Sequence, residues 1–256
     1  MRWRLLATPP LGAVDNMAYD EALLHRAAAT GEAVLRVYGW SEPALSLGRN
    51  QPARDAYDEG AMRDRGISVV RRLTGGRAVL HHREVTYSVT APDAFGGSLR
   101  DSYRRINELL VHGLRALGAD ASIAAPNGRS PVPSTAPCFE EPTAGELVLQ
   151  RRKLVGSAQY REGGALLQHG SILIEDDQLL VTSLLRTATA AAPRPATLHD
   201  ALGRAPSIGE LAGLLFDAVR ELEDDRATVL AEDPVIADAV RRAAQRYGDT
   251  DWTWRR

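Results

Sequence analysis

Cys138 is the only cysteine of the chain, and its surroundings favour a reactive thiol. It follows a run with four prolines, PNGRSPVPSTAP (126–137), which excludes regular structure and predicts a stiff surface loop. Lys153 comes fifteen positions later, at the start of a strand-like run. Because a nearby cation stabilises the nucleophilic thiolate, the two residues are candidates for covalent catalysis. A buried packing cysteine and a solvated basic turn (Arg151, Arg152, Lys153) are the alternatives.

A second candidate is the glycine turn Thr74-Gly75-Gly76, which follows a predicted strand. Two residues without Cβ atoms allow backbone N–H groups to converge on an oxygen-rich ligand. Arg71, Arg72 and Arg77 add positive charge suited to a phosphate or a polarised carbonyl. The spacing matches neither a Walker loop nor a dinucleotide fingerprint. An ordinary hairpin turn flanked by solvated arginines is the alternative.

Three histidines, His81, His82 and His169, are candidates for acid–base chemistry or metal binding. Their spacing matches no metal-ligand pattern, and a single cysteine excludes a cysteine-rich metal cage. We therefore expect no metal, and at least one of these histidines is expected to be structural.

The elements that must position these residues follow from hydrophobic periodicity. Helices are predicted over 16–24, capped by Asp15, and over 53–66, 99–117, 178–185, 207–222 and 234–247. The segments 33–40 and 43–48 are predicted to be paired strands, and 78–82 and 84–92 adjacent antiparallel strands. Three further strand-like runs lie between Gly145 and Glu175. The expected fold is α/β (α+β), a mixed and largely antiparallel sheet flanked by helices.

The predicted division is a catalytic domain (1–186), a linker (187–197) rich in small residues and proline, and a C-terminal helical appendage (198–256). The chain has 256 residues with 31 Lys plus Arg against 33 Asp plus Glu, so it lacks the basic field that dominates nucleic-acid affinity. No apolar run is long enough to span a bilayer, and the start is too short for a signal peptide. We expect a cytoplasmic protein that binds neither nucleic acid nor membrane.

Several motifs resemble the lipoate-protein ligase and octanoyltransferase family, whose catalytic domain is shared with biotin protein ligases. The matching runs are NMAYDEALL, PALSLGRNQ, RRLTGGRAVLHHREVTYSV and CFEEPTAGELVLQRRKLVGSAQYREGGALLQHGSILI, which cover most of Asp15 to Leu185. The resemblance is closest to cysteine-dependent octanoyltransferases, because the ATP-using ligases lack a cysteine at the start of the CFEEP segment. Those ligases typically carry a third glycine where this chain has Arg77.

The resemblance implies that octanoyl passes from acyl carrier protein through a thioester on Cys138 to a lysine of a lipoyl-domain protein, such as the glycine-cleavage H protein. Lys153 would activate the thiol, and no cofactor is implied. An aliphatic channel is expected along Leu73, Val79 and Leu167. The arginines expected to guide the acidic carrier are Arg71, Arg72, Arg77, Arg151 and Arg152. The implied substrate-binding residues are Arg71, Arg72, Thr74, Gly75, Gly76, Arg77, Ala78, His81, Gly156, Ser157, Gln159, His169 and Gly170.

Three other functions stay open. These are octanoyl transfer between lipoyl domains, ATP-dependent ligation of lipoate or octanoate, and non-catalytic binding of lipoyl domains. Two departures from the family pattern bear on acyl and acceptor choice: His82 stands where many members have aspartate, and Arg151 occupies a hairpin turn where glycine is usual.

Overall fold

A computed structural model describes residues 1–125, 145–187, 193–231 and 233–256. Its strands are β1 (Trp3–Ala7), β2 (Ala33–Tyr38), β3 (Ala44–Leu47), β4 (Ser68–Arg71), β5 (Val79–His81), β6 (Glu84–Pro92), β7 (Ser122–Ile123), β8 (Leu147–Leu149), β9 (Arg152–Glu162), β10 (Ala165–Leu173) and β11 (Thr228–Val229). Its helices are α1 (Ala13–Thr30), α2 (Glu59–Asp64), α3 (Leu99–Ala116), α4 (Leu179–Ser183), α5 (Leu198–Leu202), α6 (Ile208–Leu222), α7 (Pro234–Tyr247) and α8 (Thr250–Thr253). Within these ranges, no helix combines the length and apolar character that a bilayer crossing requires.

The main sheet of the described chain has the strand order β11-β1-β2-β6-β10-β9-β8-β7. β1 runs parallel to β2 and β11, and the other neighbours are antiparallel. At its centre β6 and β10 pair along their whole length, which sets His169 opposite Ser88 on one side and Ala158 on the other. This confirms the predicted mixed, largely antiparallel sheet flanked by helices.

A second, smaller sheet has the order β4-β3-β5, and it shows that both predicted strand pairings are wrong. β2 pairs with β1 and β6 in the main sheet, whereas β3 and β5 pair with each other in the small one. The physical reason is burial: Leu35 and Val37 pack into the core of the main sheet, while Leu45, Leu47 and Leu80 form a separate apolar cluster. Alternation along a strand specifies its faces but not its partner.

Two helices differ from the sequence prediction. α1 begins after an N-cap at Gly12, with Asp15 inside the first turn instead of at the cap. Glu21 of this helix is buried and accepts a hydrogen bond from Tyr247. The helix predicted over 53–66 is confined to α2, whose N-cap Asp58 accepts from the backbone of Ala61 at 3.0 Å. The preceding residues instead follow tertiary hydrogen bonds, since the N–H groups of Ala53 and Arg54 donate to the carbonyl of Arg256.

The apolar core lies on both faces of the main sheet. On one face α3 and α6 pack together through residues such as Leu110 and Leu215. On the other face α1 and α7 pack together through residues such as Leu24 and Val240. The C-terminal helices therefore bury their apolar faces in the same clusters as the N-terminal ones. The division into a catalytic domain and an appendage stays a prediction.

Candidate functional site

A cavity opens between the two sheets, with an empty volume of about 420 Å³ including its mouth. From β9 and β10 it is lined by Gly156, Ser157, Ala158, His169, Gly170 and Ser171. From the small sheet and its glycine turn it is lined by Ser46, Arg72, Gly76, Val79 and His81. Met17 of α1, Tyr38 of β2 and Thr86 of β6 complete the described wall. The mixed polar and apolar lining suits a small acyl group.

His169 connects the glycine turn to helix α1 through buried hydrogen bonds. Its Nδ1 lies 2.8 Å from Oδ2 of Asp20, and its Nε2 lies 2.6 Å from Oγ1 of Thr74. Because a carboxylate only accepts, Nδ1–H must donate to Asp20, and in the neutral ring Nε2 then accepts from the Thr74 hydroxyl. Burial lowers the pKa of His169, against the opposing effect of Asp20, so the ring is held neutral at the cavity wall.

Asp20 is the centre of this buried network. Burial alone would raise its pKa, but the hydrogen bond from His169, the charge of Arg36 and the hydrogen bond from Ser88 hold that pKa below its usual value. Tyr38 also donates to the carboxylate, at 3.1 Å. Four donors therefore fix an ionised Asp20 behind the cavity.

Arg72 holds the glycine turn in place. Its guanidinium donates to the carbonyls of Ser46, Gly75 and Arg77 at 2.7, 2.8 and 2.7 Å, and to the hydroxyl of Thr74 at 3.1 Å. The turn also needs glycine where it meets β3, because a Cβ on Gly48 would collide with the carbonyl oxygen of Gly76. The guanidinium of Arg72 thus shapes the cavity wall through its hydrogen bonds to the backbone carbonyls of the turn and of β3.

His81 forms a second polar corner of the cavity. Its Nε2 lies 2.8 Å from the hydroxyl of Ser46, and its ring stacks on Trp40 at a centroid distance of 4.0 Å. Trp40 in turn donates from Nε1 to the hydroxyl of Thr86 at 2.9 Å. The stacked rings orient His81 toward the cavity.

Lys153 is buried in β9, and its Nζ lies 2.6 Å from Oε1 of Glu146. A β-bulge decides which face of the sheet it occupies. Leu147 pairs with Val155, whereas Val148 pairs with Lys153, so Leu154 is the extra residue. Since directly opposite residues share a face, Lys153 lies on the face of Val148, away from the core that Leu147 and Val155 join. Gly156, which follows Val155, projects to that same face and lines the cavity.

Seven of the sequence-predicted substrate residues line the cavity. They are Arg72, Gly76, His81, Gly156, Ser157, His169 and Gly170. Thr74 lies behind the wall, bonded to His169, and Gly75 contributes its carbonyl to Arg72. Val79 of the proposed channel also lines the cavity, while Leu73 and Leu167 belong to the adjoining apolar cluster. Cys138 lies outside the described residues.

The other predicted substrate residues point elsewhere. Arg71 is fully buried and donates to the carbonyls of Gly48, Gln51 and Thr253. Ala78 packs in the apolar cluster of the small sheet, Gln159 bonds Ser102 on the α3 face, and Arg77 is absent from the described cavity wall. The expectation that Arg71 and Arg72 guide a carrier protein is wrong, because both side chains are buried; Arg77, Arg151 and Arg152 keep some exposure.

Several cavity residues were not predicted from sequence. They are Met17, Tyr38, Ser46, Thr86, Ala158 and Ser171. Ala158 and Ser171 share a signal that was available, since each lies two residues from a predicted site residue and therefore on the same strand face. Met17, Tyr38 and Ser46 carry no such signal, because tertiary packing alone brings their elements together.

The fold and this cavity define a lipoate-protein ligase type of domain. A Thermoplasma acidophilum protein described as a lipoate protein ligase superposes with a TM-score of 0.78 over 100% of both chains, at 24% identity. A structure of that protein with bound lipoic acid gives a TM-score of 0.77 at 25% identity, covering 99% of this chain and 100% of the other.

The chain belongs to the family described as lipoyl protein ligase A/B catalytic domain, whose profile matches residues 13–220. It is an enzyme of that family. Among its relatives, octanoyltransferase LipM of Kyrpidia tusciae is 49% identical over 72% of this chain and 70% of the relative. Octanoyltransferase LipM of Brevibacillus brevis is 33% identical over 100% of this chain and 99% of the relative.

Proposed function

We propose that this chain is an octanoyltransferase of lipoate metabolism. It takes octanoyl from acyl carrier protein, holds it as a thioester on Cys138, and passes it to a lysine of a lipoyl-domain protein such as the glycine-cleavage H protein. The similarity to relatives named octanoyltransferase LipM supports the reaction class. The balanced total charge and the absence of a spanning helix in the described ranges are compatible with a cytoplasmic enzyme.

The observation that carries the proposal is Lys153, a buried ammonium group on the same sheet face as the cavity wall at Gly156. An ammonium group at this place can stabilise a thiolate and later the oxygen of a tetrahedral intermediate. Glu146, at 2.6 Å, holds the ammonium in position. The Cys138 thiol is the proposed nucleophile, with Lys153 as its activating partner.

The reaction balances without a nucleotide. The Cys138 thiolate attacks the thioester carbonyl of the donor, and the carrier's thiolate leaves and takes up a proton. The acceptor amine then attacks the acyl-enzyme, forms an amide, releases the Cys138 thiolate and gives up a proton. The backbone N–H groups of Gly156 and Ser157 are candidate donors to the intermediate oxygen, and the exposed Arg151 is a candidate contact for the acidic carrier.

The test is to incubate the protein with octanoyl-carrier protein in the absence of ATP and to weigh the intact chain. We expect an octanoyl adduct that disappears in Cys138→Ser and forms at least about 100-fold more slowly in Lys153→Met, as removal of an electrostatic stabiliser predicts. Arg152→Met removes a neighbouring charge from the same strand and is the control that should retain the adduct.

The competing functions give different results in the same assay. Product that requires ATP and appears without an adduct would indicate a ligase. An adduct formed from octanoylated lipoyl domain but not from octanoyl-carrier protein would indicate transfer between lipoyl domains. Binding of lipoyl domain without any acyl transfer would indicate a non-catalytic module.

A further inference from the structure

Ser171 presents a buried hydroxyl group with no partner in the described part of the protein. Its side chain lines the cavity, the residue is 1% exposed, and its Oγ makes no hydrogen bond there. A buried hydroxyl in this state is rare in folded proteins, and each such group calls for an explanation. At a cavity wall, the explanation consistent with its position is a ligand atom that accepts a hydrogen bond.

The other hydroxyl groups of the cavity are already engaged. Ser46 bonds His81, Thr86 donates to Glu84, and the hydroxyl of Ser157 lies 2.7 Å from that of Tyr87. Tyr38 donates to Asp20. Among the described lining residues, Ser171 is therefore the one whose side-chain hydroxyl has no hydrogen-bond partner in the described chain.

Strand register places Ser171 at the end of the cavity nearer to Lys153. Ser171 lies opposite Gly156 of β9, and His169 lies opposite Ala158. Of the β9 residues in the cavity wall, Gly156 is the closest along the strand to Lys153, at roughly 10 Å between Cα atoms for three extended residues. The bulge at Leu154 brings Lys153 to the same face.

The position of the acceptor within an acyl group narrows which part of it can meet Ser171. An octanoyl group has an aliphatic tail, and its polar atoms are at the thioester. A tail methyl placed against Ser171 would leave the hydroxyl unsatisfied, whereas the thioester carbonyl placed there would accept its hydrogen bond.

We infer that the Ser171 hydroxyl donates a hydrogen bond to the carbonyl oxygen of the acyl thioester. The inference rests on the proposed function and names a further catalytic residue for it. As the thiolate attacks, the carbonyl carbon gains a bond, the carbonyl π electrons move onto the oxygen, and the donor from Ser171 faces a developing negative charge. A preorganised donor at this position stabilises the transition state more than the ground state.

The test is Ser171→Ala, assayed with octanoyl-carrier protein as donor. Loss of one oxyanion donor predicts a kcat about 100-fold lower with KM changed by less than about twofold. The melting temperature should stay the same or rise, because the substitution removes an unsatisfied buried hydroxyl. Thr90→Val is the matched control: Thr90 Oγ1 is also buried without a partner in the described chain but is absent from the cavity wall, so kcat should not change.

Three results would overturn the inference. A Ser171→Ala kcat within about twofold of the wild type would show that the hydroxyl does not act on the carbonyl, while wild-type transfer without ATP would leave the proposed function intact. A fall in the kcat of Ser171→Ala that is confined to lipoyl transfer, with octanoyl transfer unchanged, would show that Ser171 contacts the tail of the acyl group. A wild-type protein that transfers only with ATP would remove both the proposed function and the thioester contact that depends on it.

Discussion

The charge state of His169 shows how one buried residue links stability to pH. The residue is buried, and burial holds its pKa below the ordinary value of about 6.5. Below pH 6.5 the unfolded chain therefore binds a proton that the folded chain does not. The free energy of unfolding consequently falls as the pH is lowered through this range. The pKa of Asp20 is also depressed, so Asp20 loses its contribution to the free energy of unfolding only below about pH 4. The effects of the two residues therefore fall in different pH ranges.

His169→Gln tests this linkage. Between pH 6.5 and 5.5 the wild type should lose up to about 1 kcal/mol more unfolding free energy than the variant, as measured by urea titration at each pH. His199→Gln, at an exposed position, is the control and should keep the wild-type slope. Equal slopes for wild type and His169→Gln would mean that the buried ring is protonated.

At the scale of elements, the hairpin between β8 and β9 carries strain. Leu149 pairs with Arg152, so the turn consists of Gln150 and Arg151, with φ values of 50° and 65°. Two-residue hairpins favour this geometry because it matches strand twist, but residues with a Cβ adopt it at a cost. A glycine at this position would adopt it without strain. Arg151 therefore lowers the free energy of unfolding relative to a glycine at the same position.

Arg151→Gly should raise the free energy of unfolding by about 1 kcal/mol, measured by urea denaturation at neutral pH. Arg151→Ala removes the same charge but keeps the Cβ, so it should give no comparable gain. A gain of equal size in both variants would assign the penalty to the guanidinium charge instead of the backbone.

At the scale of the whole molecule, the C-terminal residues bond to strand β4 of the small sheet. Arg71 donates from Nε to the carbonyl of Thr253 at 2.8 Å, and Trp252 donates from Nε1 to the carbonyl of Arg71 at 2.8 Å. Burial, followed by the charge of Arg255, lowers the pKa of Arg71 to about 10. The C-terminal segment thus supports β4, whose end leads into Arg72 and the glycine turn of the cavity.

Removing residues 249–256 should lower the free energy of unfolding by about 3 kcal/mol, because it exposes an apolar surface and deprives buried Arg71 of a partner. Urea denaturation measures the loss. Trp252→Phe keeps the ring and removes one hydrogen bond, so its loss should be near 1 kcal/mol. An unchanged unfolding midpoint after truncation would show that the segment contributes nothing to the small sheet.

The amino-acid sequence by itself determines the long helices and strands, such as α3 and β10, and which turn carries the glycines. Apolar spacing in α3, with the cap at Ser98, and alternation in β10 are local properties of the chain, so they are readable without a structure. The motif around Thr74-Gly75-Gly76 likewise identifies one wall of the cavity. The family follows from such local patterns.

Only the tertiary structure decides which of these segments meet. It separates β2 from β3, turns Arg71 inward as a structural residue, and places Met17 and Ser171 in the same cavity wall. It also places Lys153 on the cavity face, because a single extra residue at the β9 bulge reverses the alternation that the sequence pattern assumes. The physical reason is that periodicity assigns each side chain to a face, whereas partners and registers depend on contacts between residues far apart in the chain.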